Sequence, residues 1–95
     1  MSSSRDWALV DRGLWMLHEG EKYWLDIHVG EDGLGRVSID LQHHGMMGQP
    51  GAVERVGEGV WREGIVDRSG TLPAAAFEAA EAVLRENLSR ARSEN

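Results

Sequence analysis

Between residues 23 and 42 the chain alternates apolar and polar side chains twice, on either side of a glycine-rich turn. In Tyr23-Trp24-Leu25-Asp26-Ile27-His28-Val29 the apolar residues at 23, 25, 27 and 29 are separated by Trp24, Asp26 and His28. Gly30-Glu31-Asp32-Gly33-Leu34-Gly35 follows, and Arg36–Gln42 alternates again through Val37, Ile39 and Leu41. Period two marks a strand with one buried face, and two such runs around an Asp-Gly turn predict an antiparallel hairpin. Cross-strand neighbours point to the same side. Leu25, Ile27 and Val29 therefore share a face with Val37, Ile39 and Leu41. The other face holds Trp24, Asp26, His28, Arg36, Ser38, Asp40 and Gln42.

An apolar sheet face requires a cover, and the C-terminal third supplies one. Ser69-Gly70-Thr71-Leu72-Pro73 punctuates a helix start: Thr71 can cap it, and Pro73 is tolerated in a first turn. From residue 74 to about 91, Phe77, Ala80, Leu84, Leu88 and Ala91 fall on one stripe, with Ala76 and Val83 beside it. Glu81 to Arg85 and Glu86 to Arg90 are i,i+4 pairs in the favourable order. Acids precede arginines, as the helix dipole favours. The core predicted from these patterns is Leu25, Ile27, Val37, Ile39, Phe77, Leu84 and Leu88.

The remaining segments are less regular. Residues 7–18 are strand-like but interrupted by Asp11-Arg12-Gly13, where Gly13 fits either a bulge or a tight turn. Glu19-Gly20-Glu21-Lys22 reads as a hairpin loop. Four loop residues put Trp15 and Leu17 on the face of Trp24, whereas five turn them into the core. Residues 43–52 form a loop by their Gly and Pro content. Within 53–67, Val60-Trp61 and Ile65-Val66 suggest one more strand, broken by Gly57, Gly59 and Gly64. The expected fold is α+β: a small antiparallel, meander-like sheet of three to five strands with one C-terminal amphipathic helix on one face. Residues 1–95 make one domain, with 1–5 and 92–95 as frayed tails.

Composition narrows the function classes. With no cysteine there is no disulfide framework and no thiolate metal site. The N-terminal residues lack the apolar stretch of a signal peptide, and no apolar run approaches the ~18 residues that span a bilayer. A cytoplasmic location is expected. Sixteen acids face ten bases, for a net charge of −6. That sign opposes direct nucleic-acid binding and attraction to anionic membranes, and it is compatible with a basic protein partner. Acidity could also mimic a phosphate backbone, although the acids are scattered, as in plain solubilisation.

Chemical motifs are sparse. Asp26, His28, Ser38 and Asp40 on one face offer the elements of a Ser-His-Asp arrangement, but a flat, solvated face supplies neither oxyanion donors nor water exclusion. His43-His44, with His18 or His28 and a carboxylate, could complete a metal site only if a loop turned both imidazoles inward. No metal site, cofactor or catalytic set is expected. Gly30-x-x-Gly33-x-Gly35 lacks a phosphate-loop sequel and carries two acids, so it reads as a turn. Met46-Met47 could provide an adaptable contact surface.

Four tryptophans beside one Phe and one Tyr form the remaining anomaly. Trp is favoured at interface hot spots, and Trp24 lies on the polar face by parity. The expected function is a small acidic, non-enzymatic inhibitor or adaptor that docks on a larger, basic protein, in the manner of immunity proteins and phage anti-defence proteins. Its binding surface would comprise Trp24, Asp26, His28, Asp40 and Trp15. A small metal-dependent or hydrolytic enzyme using His28, His43 and His44 is one alternative, and a structural subunit of a homo-oligomer is another. The bias to Arg, Ala and Gly suggests a bacterial or phage source.

Overall fold

The computed structural model describes residues 14–29, 35–49 and 51–93. The strand-like stretch 7–13, the turn 30–34 and the tails 1–5 and 94–95 lie outside the described residues, as do the side chains of Val29, Arg90 and Ala91. Five strands, β1 (Leu14–His18), β2 (Glu21–Val29), β3 (Gly35–Gln42), β4 (Val53–Trp61) and β5 (Ile65–Gly70), form one antiparallel sheet in chain order. The helix α1 (Ala74–Ser93) packs against it, which makes the fold a five-stranded α+β meander.

The hairpin of β2 and β3 pairs Leu25 with Ile39 and Ile27 with Val37, and places Trp24 opposite Asp40. All seven predicted core residues are buried, and Leu25, Ile27, Ile39 and Leu84 have no exposed surface. Met16, Tyr23, Val56, Trp61, Ile65, Leu72, Ala76 and Ala80 complete the cluster between sheet and helix.

Three expectations need correction. The 19–22 loop is only a two-residue turn, Glu19-Gly20, with Glu21 and Lys22 already in β2. Both turn residues have positive φ (51° and 80°), as a type I′ turn requires, because its twist matches that of the flanking strands.

Second, 53–67 contains one full strand and the start of another. Val56 and Gly57 lie together opposite Ile39 at a bulge, after which the core-facing positions of β4 are Gly57, Gly59 and Trp61. A Cβ on Gly57 would stand 3.0 Å from the Phe77 ring, and one on Gly59 would stand 2.5 Å from Ile65 Cγ2. The glycines are therefore sites of close approach within the strand, not interruptions of it.

Third, Thr71 does not cap the helix. Its N–H, like that of Leu72, donates to Val56 O, and Pro73 O accepts the first helical bonds from Ala76 and Phe77. The first turn holds no acid, and the helix continues through Ser93 into the expected tail.

Glu81 fastens the helix to the β4–β5 turn. Its carboxylate accepts from Ile65 N at 2.8 Å, from Arg68 at 3.2 Å and from Arg85 at 3.1 Å, while Arg85 also donates to Glu63 O. The Ile65 amide hydrogen bond chiefly, helped by the two arginines, holds the Glu81 pKa below its usual 4.5. Glu81→Ala is expected to cost about 1–3 kcal/mol, because the Ile65 N–H loses its acceptor in a buried setting. A depressed carboxylate pKa contributes stability above about pH 4.5 that disappears as pH falls through the folded-state value. The wild type should therefore lose more stability on acidification than Glu81→Ala. Urea titrations of both proteins from roughly pH 6 to pH 3 test this, and parallel losses would refute it.

Candidate functional site

Since α1 covers one sheet face, the side chains of opposite parity form an outer face that no described element covers. Register arranges them in rows. Leu17, Lys22, Gln42 and Val53 form the first row, and Trp15, Trp24, Asp40 and Arg55 the second. Asp26, Ser38 and Glu58 lie in the third, and His28, Arg36, Val60 and Val66 in the fourth.

The first two rows are unusually apolar for an open face. Trp15 is 48% exposed, Leu17 66% and Val53 52%. The short β1–β2 turn explains this, since it pairs Trp15 directly with Trp24 and so puts Trp15 and Leu17 on the outer side. Trp24 is half-buried by its neighbours: its indole N–H donates to Gln42 Oε1 at 2.9 Å. The β4 segment lies within the sheet and does not fold across Trp24. Lys22 reaches over both indoles, with its ammonium 4.6 Å from the Trp15 ring centre and 4.4 Å from that of Trp24. Trp61 belongs to the core, and Trp7 lies outside the described residues.

Beyond the first row, the β3–β4 connection is held in shape. His43 N donates to Ala52 O, Gln42 Nε2 donates to Gly51 O at 2.7 Å, and His43 Nε2 lies 2.8 Å from Glu54 Oε1. At the tip, Gln49 N donates to Met46 O, and Met47 and Gly48 both have positive φ. This turn leaves Met47 95% exposed and Met46 nearly as much.

The other expected site residues are distributed as follows. Asp26 sits directly opposite Ser38, and His28 opposite Arg36. Asp40 forms an ion pair with Arg55, whose second nitrogen also lies 3.7 Å from Glu58. The hydrogen bond to Asp40 pushes the Arg55 pKa above its usual value. Asp40 is thus a partly neutralised acid, a feature that parity alone does not reveal. His28 lies at the opposite end of the β2–β3 ladder from Gln42, after which His43 and His44 follow. The three histidines are therefore not brought together, and no group of three metal-ligating side chains occurs among the described residues.

Sequence reasoning placed Gln42 on this face but missed Lys22, Val53 and Arg55. Once the register is known, the row positions of 22, 53 and 55 identify them, but the β4 bulge hides the last two. A shallow depression of about 350 Å³ between His28, Arg36, Ser38, Glu58 and Asp67 marks the far end of the face. It is lined by both charge signs.

Among the described residues, no helix is long and apolar enough to cross a membrane. Comparison with protein-family profiles, with curated proteins and with solved structures finds no match for this chain.

Proposed function

We propose that this chain is a small acidic, cytoplasmic, non-enzymatic binding module that docks on a larger, basic protein through the Trp15–Trp24 end of its outer sheet face. Its most concrete form is an inhibitor or adaptor of the immunity or phage anti-defence type. The observation that supports this reading is the exposure of Trp15 and Leu17 in adjacent rows of β1, beside the half-buried Trp24. A contiguous apolar patch on a small domain is costly in water, and contact with a partner relieves that cost. Met46 and Met47, held at a shaped turn beyond the patch, add deformable apolar surface. The net charge of −6 favours encounter with a basic surface.

The test begins with affinity capture from the source organism and purification of the captured protein. Calorimetry then compares wild type with Trp15→Ala. A hot-spot tryptophan is worth roughly 2 kcal/mol or more, or about a 30-fold loss of affinity. That loss should appear with thermal stability essentially unchanged, because Trp15 is half exposed. An affinity within twofold of wild type would show that the partner binds elsewhere.

A further inference from the structure

We propose that Trp15 and Trp24 form a cation-receiving clamp, which Lys22 occupies in the unbound protein and which takes a lysine or arginine side chain of the basic partner in its place. This rests on the docking face proposed above for the identity of the natural occupant. The clamp itself rests on geometry.

The two indoles are directly opposed on adjacent strands, so their rings stand side by side on the outer face. Lys22 lies two residues from Trp24 along β2 and diagonally from Trp15. Its ammonium sits 4.4 and 4.6 Å from the two ring centres. Attraction between a cation and the negative face of an aromatic ring operates within about 6 Å, so both rings contribute.

Several features make this more than a lysine covering an apolar surface. The Gln42 hydrogen bond fixes the Trp24 ring, so that half of the clamp does not depend on Lys22 for its shape. Lys22 is the sole lysine of the chain, among ten basic residues. Glu19 and Glu21 closely precede it in sequence, and the overall charge is −6, so a foreign cation is drawn towards this end. An ammonium is held by ring faces without a directional bond, so one cation can replace another with little rearrangement. A partner cation that displaces Lys22 also frees its ammonium to meet a partner carboxylate or the solvent.

The test needs no partner. Tetramethylammonium chloride is titrated into wild type and into Lys22→Ala while the indole N–H resonances of Trp15 and Trp24 are followed by NMR. Sodium chloride at equal ionic strength is the reference. In Lys22→Ala both resonances should shift saturably, with a dissociation constant of roughly 30–200 mM, as expected for one or two kcal/mol of cation–ring attraction. Wild type should respond about tenfold more weakly, because its tethered ammonium competes at high effective concentration. Adding Trp15→Ala to the Lys22→Ala protein should abolish saturation at Trp24. Lys22→Gln provides a second emptied clamp should the shorter side chain disturb β2.

Shifts that grow linearly and match the sodium chloride series, in a folded Lys22→Ala or Lys22→Gln protein, would overturn the clamp. Saturable shifts together with a partner affinity indifferent to Trp15→Ala would leave the clamp standing and sink the docking face. A partner affinity that needs Trp15, without saturable shifts, would do the reverse.

Discussion

Leu84→Ala is expected to lower the stability of this protein by about 2–5 kcal/mol, as removal of a fully buried leucine does when its surroundings cannot collapse. Leu84 has no exposed surface and sits in the cluster formed by Leu25, Ile27, Val37 and Ile39 of the sheet with Phe77, Ala80 and Leu88 of α1. The sheet has only this one helix-covered face, so no second core layer compensates. A small domain is stable by roughly 5–10 kcal/mol, and the substitution would remove a large part of that. Urea unfolding followed by tryptophan fluorescence should show a lower midpoint with an unchanged slope. A loss below about 0.5 kcal/mol, the level of a surface change, would refute the packing of α1 on the β2–β3 hairpin.

Gly70→Ala is expected to be the other large effect, about 2–4 kcal/mol, for a different reason. Gly70 ends β5 with φ of 107°, a conformation that side chains with a Cβ rarely adopt. An added Cβ would also stand 2.3 Å from Val56 O. That carbonyl cannot withdraw without cost, since it accepts the N–H groups of Thr71 and Leu72 and so ties the start of the helix segment to the β4 bulge. Gly20→Ala is the control. Gly20 has φ of 80° but nothing within 4 Å of an added Cβ, so only the backbone preference is charged, about 1 kcal/mol. Circular dichroism melts of the two variants should separate by several degrees. Equal melting temperatures would mean that the Val56–Gly70 contact contributes nothing.

The outer face shows how local and long-range information divide. Parity alone was enough to put Trp24, Asp26, His28 and Asp40 on one side of the hairpin. The place of Trp15 depended on whether the turn that follows β1 held an even or odd number of residues, and Glu19-Gly20 could not be told from a longer loop by composition. Neither the Lys22 clamp nor the Asp40–Arg55 pair could be read in advance. The first depends on a diagonal between strands, and the second on a strand whose register is offset by a bulge.

Alternation from Tyr23 to Gln42 and the apolar stripe from Phe77 to Leu88 by themselves determined the central hairpin, the helix and seven core residues. Their burial follows from periodicity, which each segment carries within its own few turns or residues. The existence of β4 and β5 as full strands was decided only by the tertiary structure. Where the core-facing positions of β4 meet Phe77 and Ile65 at close range, there is room for glycine and little else. A strand whose inner side is Gly57 and Gly59 displays no hydrophobic period, because the apolar mass that fills the space beside it comes from the helix and from the next strand.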